Sequence, residues 1–472
     1  MHAEQLTQLL NKEKLRDQSE QNLTDLMLSH YSKVADVLKE PGKGLKEAHW
    51  AMDWREVEDT KHEKVYVIAG LLPATNTQNN EIEGMRATPV VFCIPKKDLT
   101  TEEQEYFDHD KDNIGYQKQR ESVVQKLVKD REVRKIYNMH GWGADPYVSA
   151  LPMIEVSTEL GGVSVLLGMM GSMGTTNQDQ SPGDFVKKSG YDWDKIREQA
   201  IGAMYYLEGS EAFGSSNYPT TKIVRIIFGH SMQGKTTLRM LLDNHTILPN
   251  TFFVPMTPVL VGGSKEALSL AHAMDYMQGT GRHVHLGHTP AGALMQLELK
   301  TIARWLEPAK RTEILLQPLI LHFVKLIMKS YLGKSESWGE NIIFYAHMLE
   351  YIGNPHAILL ATDNLEESKP TVSQKTMATA AKFINRFMLV CASEDRVLSS
   401  RQLKALAKAI SMELNVPVYE HKGKLVINIE GMEWVVPVFE DNHYLKEDSW
   451  KSKEGGVIAM VKDRVKWESL SE

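Results

Sequence analysis

The sequence contains only two cysteines, Cys93 and Cys391, among its 472 residues. Two thiols exclude the disulfide framework on which many small secreted proteins depend, and they suggest a reducing compartment. Residues 1–21 are polar and charged, and they lack the apolar core of a secretory signal peptide. We therefore expect a cytoplasmic protein, while export by a route without such a signal stays open.

Long hydrophobic runs and an excess of positive charge are also missing. The longest apolar stretch, around Leu315 to Met328, is interrupted by polar residues and is too short and too broken to span a bilayer. The formal net charge is -7, which does not indicate the basic surface typical of nucleic-acid binding. We therefore expect neither a transmembrane segment nor a nucleic-acid partner.

Short apolar runs alternate with helical patterns over much of the chain. Runs typical of strands cover residues 64–70, 88–95, 162–167, 223–228, 251–260, 386–392, 416–419, 424–429 and 434–439, and a further run begins at Lys135. Strands that alternate with helices are typical of a mostly parallel, doubly wound sheet. The sequence therefore predicts an α/β fold.

Two segments interrupt this alternation. Apolar residues recur at three- and four-residue steps up to about residue 40, which predicts a helical arm, residues 1–60, packed on the domain or binding a partner. Roughly 120 mainly helical residues then separate two predicted sheet strands, too many for a loop. We assign residues 263–384 to a helical cap inserted between two parts of the core, residues 61–262 and 385–472.

The most informative stretch is KIVRIIFGHSMQGKTTLRMLL, residues 222–242. Its pattern predicts a buried strand, a tight turn from Gly229 to Gly234 and a helix from Thr236. Ser231 lies at the apex in a near-match to G-x-S-x-G, the motif that exposes a nucleophilic serine above a sheet. The second glycine comes one position late.

The same stretch fits the phosphate-binding P-loop. Gly229 and Gly234 have the P-loop spacing, and Lys235 and Thr236 follow them between a predicted strand and helix. In this interpretation Lys235 binds phosphates, Thr236 binds Mg²⁺, and Asp363 is a supporting acid. Neither motif alone decides between the two functions.

Two further loops, each after a predicted strand, help to decide between a nucleophilic serine and a P-loop. HGWG, residues 140–143, resembles the oxyanion-hole loop of α/β-hydrolases, and SEDRV, residues 393–397, resembles the D-x-V loop that supplies their acid. GHSMQGK resembles their GHSMGGK-type nucleophile elbow, with Gln233 where glycine is usual. The resemblance covers roughly residues 135–260 and 386–445. It implies an α/β-hydrolase fold of the serine esterase, lipase or acyl-hydrolase type, without metal or organic cofactor.

The resemblance implies catalytic roles for residues far apart in the sequence. Ser231 would be the nucleophile, which needs a base because a serine hydroxyl is weak at neutral pH. Asp395 would orient that base, with the adjacent Glu394 as the alternative acid. The backbone N–H groups of Met232 and Trp142 would hold the oxyanion.

Two histidines compete for the role of the base. His443 follows a predicted strand, as the family's final histidine does, although Asn442 stands where glycine is usual. His421 is closer to the expected spacing after the acid but leaves little loop for its ring to reach the nucleophile. Choosing His443 requires that residues 422–432 form an added hairpin.

The sequence thus predicts a serine hydrolase that cleaves an acyl ester, thioester or amide through an acyl-enzyme. Methionines and other apolar residues in the predicted cap suit a flexible, lipid-like or small acyl substrate. A serine nucleophile argues against dehalogenase chemistry, whereas acyl transfer would use the same residues. The alternatives are P-loop nucleotide binding and a non-catalytic, hydrolase-like interaction protein, and a homo-oligomer is compatible with all three.

Overall fold

The structure of the protein is a computed structural model. It describes residues 18–38 with gaps, 43–140 without 60, 83–84 and 109–113, 146–169 without 148, 193–257 without 214–222 and 245, 386–392, and 417–465 with gaps that include 440–444. The predicted cap, residues 263–384, lies outside this part of the chain.

The strands of the described part form a seven-stranded main sheet and two smaller sheets. The strands are β1 His49–Glu58, β2 Lys64–Leu72, β3 Thr88–Pro95, β4 Lys135–Met139, β5 Val163–Leu167, β6 Arg225–His230, β7 Thr251–Met256, β8 Cys391–Ala392, β9 Val418–His421, β10 Lys424–Ile429, β11 Met432–Val436 and β12 Val438–Phe439. The main sheet has the order β1-β2-β3-β5-β4-β6-β7. All its strands except β1 and β3 run in one direction, so the predicted mostly parallel sheet is confirmed.

Helices lie between and after these strands. They are α1 Thr101–Asp108, α2 Ile114–Lys129, α3 Ala150–Leu160, α4 Trp193–Glu208, α5 Met232–Asn244, α6 Glu447–Trp450 and α7 Val457–Arg464, with 3₁₀ turns at Lys96–Asp98 and Ser210–Ala212. Helical residues between 18 and 37 form the N-terminal arm.

Apolar side chains cover both faces of the main sheet. On β4, Tyr137 and Met139 pack in one cluster with side chains of α2, α4 and α5, whereas Ile136 packs in a second cluster with the arm, α3 and α7. Successive side chains of a strand point to opposite faces, which produces this division. Each fully buried aliphatic side chain contributes about 1.5–3 kcal/mol relative to an exposed one. Helices on both faces confirm the doubly wound α/β class.

The assignment of residues 1–60 to a helical arm requires a correction. His49–Glu58 form β1, the edge strand of the main sheet, paired antiparallel with β2. Trp50 and Trp54 are buried in the core cluster on one face and hold the strand there. Charged residues such as Arg55 and Glu56 are interspersed with the apolar ones, so the sequence lacks a continuous apolar run that would have revealed a strand.

The C-terminal strands extend the main sheet beyond β7. Phe387 and Val390 form parallel bridges to β7, and β8 pairs in parallel with β12. Between them in sequence, β10 and β11 form an antiparallel hairpin with β9 on its outer side. The carboxyl ends of β6, β7, β8 and β12 therefore lie at one edge of the sheet, which we call the carboxyl edge.

Candidate active site

Ser231 forms the turn between β6 and α5 alone. Its φ is +55°, in the left-handed region that non-glycine residues rarely adopt. Its N–H donates to the carbonyl oxygen of Met256 on β7 at 2.9 Å, and its carbonyl oxygen accepts from the N–H of Gly234 at 3.0 Å. The neighbouring strand and the helix therefore fix the serine in a conformation that costs about 1–2 kcal/mol.

Gly229 allows the helix to approach the strand closely. A Cβ atom at this position would lie 1.9 Å from Oγ1 of Thr237 and 2.3 Å from the carbonyl oxygen of Gln233, both on α5. Such contacts are far inside van der Waals separation, so only glycine fits here. This packing explains the first glycine of the motif in physical terms.

The predicted turn from Gly229 to Gly234 and the predicted helix start at Thr236 are both wrong. Gly229 and His230 belong to β6, and α5 begins at Met232. The left-handed φ of Ser231 reverses the chain within one residue, so no longer loop is needed. The P-loop interpretation loses support, because Gly234 and Thr236 are helical, the Gly234 N–H is already bonded, and the Thr236 side chain is buried.

The structure describes one of the two predicted oxyanion donors, Met232. Met232 is the first residue of α5, and the first N–H groups of a helix have no acceptor within it. The positive end of the helix dipole also favours negative charge at this position. Trp142 lies outside the described residues.

His140, at the end of β4, holds the start of the predicted oxyanion loop. Its side chain is buried, and its Nε2 accepts a hydrogen bond from the N–H of Met169, just after β5, at 3.1 Å. An imidazole nitrogen that accepts from a backbone N–H is unprotonated, so this ring carries its proton on Nδ1. The sequence did not single out this role.

The described part of the chain does not show whether the other predicted catalytic residues lie near Ser231. Asp395, Glu394 and His443 lie outside it. His421 is the last residue of β9, and its backbone pairs with Lys424 of β10.

A second residue with a strained backbone lies beside the turn at Ser231. Thr257 directly follows β7, has φ +38° and is buried. Its N–H donates to the carbonyl oxygen of Val390 at 2.7 Å. A left-handed conformation is unusual for a β-branched residue, and such strain concentrates at functional sites. No pattern in the sequence indicates it.

The side chain of Gln233 is fully buried, and neither its amide nitrogen nor its amide oxygen has a hydrogen-bond partner within the described structure. A buried polar group without a partner keeps its desolvation cost, about 1–3 kcal/mol. Gln233 is therefore a source of instability two positions after Ser231.

Replacing Gln233 by methionine should raise the free energy of unfolding by about 1–3 kcal/mol, since an apolar side chain of similar length removes the unpaired amide. Urea unfolding of the variant and of the wild type measures the difference. Gln233→Glu is the control, because a buried charge at the same position should destabilise strongly. A less stable methionine variant would show that the amide is hydrogen-bonded after all.

The described residues contain no group of three His, Cys, Asp or Glu side chains that could hold a metal ion. In the same part of the chain, every helix is too short or too polar to cross a membrane.

Comparison with known proteins gave matches among solved structures alone. No protein-family model and no curated protein matches the chain. The structure resembles an esterase from Exiguobacterium antarcticum (11% identity, TM-score 0.37, covering 71% of this chain and 92% of that one). It also resembles the haloalkane dehalogenase DatA from Agrobacterium tumefaciens C58 (12%, 0.38, 73% and 85%) and an enol-lactonase from Burkholderia xenovorans LB400 (13%, 0.32, 71% and 92%). Similarity this weak says nothing about the substrate.

The architecture of the chain itself defines its class. Helices cover both faces of a mostly parallel sheet, and a serine with a left-handed backbone stands directly between a central strand and a helix. A strained strand-to-helix turn with a serine at this place in the sheet is a feature of the α/β-hydrolase fold. The described part of the chain has the α/β-hydrolase fold.

Proposed function

We propose that this protein is a serine hydrolase that cleaves an acyl ester, or a thioester or amide, of a small or lipid-like molecule. The observation that carries the proposal is the conformation of Ser231, which is strained, hydrogen-bonded at both backbone groups and located at the carboxyl edge of the sheet. Active sites of open α/β sheets lie at that edge.

The chemistry follows from the residues around the elbow. Oγ of Ser231 attacks the acyl carbon while a histidine takes the hydroxyl proton and then gives it to the leaving group. Water then attacks the acyl carbon while the histidine takes a proton from it. The histidine gives that proton to Oγ of Ser231 as the acyl group is released. The N–H groups of Met232 and Trp142 would bind the oxyanion, and each such donor typically contributes about 3–4 kcal/mol to transition-state stabilisation.

The sheet topology supports the proposed acid and base. β8 ends at Ala392, three residues before Asp395, and β12 ends at Phe439, four residues before His443. An extended chain advances at most about 3.6 Å per residue, so these residues stay within about 11 and 14 Å of the strand ends. Both strand ends belong to the carboxyl edge that carries Ser231. Glu394 stays the alternative acid.

The hairpin of β10 and β11 favours His443 over His421 as the base. It covers residues 424–436 rather than the expected 422–432, and it adds residues between the proposed acid and His443. His421 instead ends β9, on the outer side of a separate three-stranded sheet.

The proposal also covers the substrate class and the cellular location. The segment at residues 263–384 contains six methionines among many other apolar residues, and such side chains suit flexible acyl chains. Cys93 and Cys391 are both buried and form no disulfide, as expected in the cytoplasm.

Covalent labelling tests the proposal. A fluorophosphonate probe should add one label per chain, and peptide mapping by mass spectrometry should find it on Ser231. Ser231→Ala should stay unlabelled, whereas Thr237→Ser, which keeps a hydroxyl on the neighbouring helix, should label like the wild type. Labelling of Ser231→Ala would contradict the assignment.

Two further measurements separate the alternatives. Mg²⁺-dependent binding of ATP or GTP that Lys235→Ala abolishes would favour the P-loop. A chain that neither labels nor hydrolyses p-nitrophenyl esters of any acyl length would favour the non-catalytic protein, which the unusual Gln233 keeps as a second candidate.

A further inference from the structure

The outer side of β1 is the lateral edge of the main sheet. Within the described residues β1 pairs with β2 only. Successive residues of an antiparallel strand point their backbone groups alternately towards the paired strand and away from it. The N–H of Asp59 donates to the carbonyl oxygen of Glu63 across the hairpin, whereas the N–H of Trp54 donates to a side chain. The even-numbered residues of β1 therefore point their backbone groups outwards, and such groups are a template for pairing with another strand.

Side chains of the N-terminal arm cover this outer side. They donate hydrogen bonds of 3.0–3.3 Å to carbonyl oxygens along β1: Ser19 to Glu58, Asn22 to Glu56 and Lys33 to Met52. Between them, Nη1 of Arg55 donates to the carbonyl oxygen of Trp54 at 2.7 Å. A second strand would have to displace the arm before it could pair with β1.

Apolar contacts hold the arm in this position. Leu23, Leu26 and Met27 are fully buried in the cluster that also contains Val57 of β1 and side chains of β2 and β3. The apolar side chains of the arm thus lie on one face of the sheet, while its polar side chains reach round to the outer side of β1. Release of these anchors would uncover the edge.

The charge of Asp53 indicates which strand fits the uncovered edge. Its side chain is buried, with Nζ of Lys33 at 3.4 Å and Nη1 of Arg55 at 3.0 Å from its carboxylate oxygens. Release of the arm removes Lys33 from this carboxylate. When two β1 strands pair antiparallel about a two-fold axis at Trp54, Asp53 of each copy lies opposite Arg55 of the other. A cross-strand pair of opposite charges is stabilising, so a second copy replaces the lost cation.

We propose that the docked arm prevents β1 from pairing with β1 of a second copy of this chain, and that release of the arm produces a two-fold dimer through this edge. The arm and the second copy then compete for the same carbonyl groups. The inference does not depend on the proposed hydrolase activity, because four strands separate β1 from β6 and the elbow.

The test releases the arm in the full-length chain and measures the molecular mass by light scattering over a range of concentrations. Leu23→Asp with Met27→Asp places two charges among buried apolar side chains, which strongly disfavours docking. Faster cleavage by trypsin after Lys33 reports the release. The mass should then rise towards twice the wild-type value. Val37→Asp, which adds the same charge at an exposed position of the arm, should keep the wild-type mass.

A proline on β1 distinguishes strand pairing from association through the uncovered apolar face. Glu56→Pro removes an outward N–H, which a free edge tolerates and a paired strand does not. Added to the two aspartate substitutions, it should restore the wild-type mass. Glu56→Ala, which removes the same carboxylate but keeps the N–H, should leave the mass doubled. A released arm with the wild-type mass, or a doubled mass that persists with Glu56→Pro, would overturn the proposal.

A milder variant decides the question if the two aspartate substitutions prevent folding. Ser19→Ala, Asn22→Ala and Lys33→Met together remove the donors of the arm and keep its apolar anchors. This triple variant should dimerise at lower concentration than the wild type, and Glu56→Pro should abolish the difference. In that case, equal masses of the triple variant and the wild type at every concentration would refute the role of the arm.

Discussion

Replacing Ser231 by glycine should abolish ester hydrolysis and leave a protein more stable than the alanine variant. Loss of the nucleophile is expected to lower kcat by roughly three to six orders of magnitude. The φ of +55° costs a non-glycine residue about 1–2 kcal/mol, and alanine keeps that cost while glycine does not. Part of the gain is offset because glycine loses about 0.5–1 kcal/mol more conformational entropy on folding.

The comparison between the two variants measures the strain at the elbow. We expect Ser231→Gly to exceed Ser231→Ala by about 1 kcal/mol in the free energy of unfolding, determined by urea titration. Equal stabilities would mean that the turn relaxes when the hydroxyl is removed. Hydrolysis by either variant near the wild-type rate would instead remove Ser231 from the reaction.

The sequence predicted best those elements that local composition determines. The strands at residues 88–95 and 424–429 have the predicted bounds, because continuous β-branched and apolar runs leave little choice of conformation. The sequence correctly placed a turn at Ser231, between a strand and a helix. The length of the turn was misjudged, since turn propensity alone does not reveal that Ser231 takes a left-handed φ and reverses the chain by itself.

Features that depend on distant contacts could not be predicted from local patterns. The pairing of His30 with Tyr147 joins residues 117 positions apart, and no periodicity reports such a contact. Thr257 has a positive φ, and its N–H donates to the carbonyl oxygen of Val390, a residue far away in the sequence. The proposed acid and base still rest on the family resemblance and on the strands that precede them.

A buried ion pair at the amino-terminal edge of the main sheet gives the largest expected effect on stability. The side chains of Arg225 and Glu208 are 0% and 2% exposed, with Nη2 of the arginine 2.7 Å from a carboxylate oxygen. Arg225 also donates to the carbonyl oxygens of Ala212 and Pro249, and Glu208 accepts from Tyr137. Both charges are therefore fully hydrogen-bonded within the core.

The carboxylate of Glu208 also offsets a second cation. Burial lowers the pKa of Lys135 to about 8, the negative charge of Glu208 opposes that shift, and the positive charge of Arg225 adds to it. Removing Glu208 leaves two buried positive charges close together, with only the smaller effects of Asp130 and Glu132 to offset the charge of Lys135. The cost exceeds that of breaking an exposed ion pair, because neither cation reaches water.

Glu208→Gln should therefore lower the free energy of unfolding by roughly 3–5 kcal/mol, the cost typical of leaving one partner of a buried pair uncompensated. The double variant Glu208→Leu with Arg225→Met should recover most of this loss, because two apolar side chains of similar size need no counter-charge. Urea unfolding of Glu208→Leu, Arg225→Met and the double variant gives the coupling energy. Because the pair lies away from the elbow, kcat per folded molecule should stay unchanged in all three. Additive losses without recovery would show that Lys135 and the carbonyl contacts, rather than the pair itself, determine the energy of this cluster.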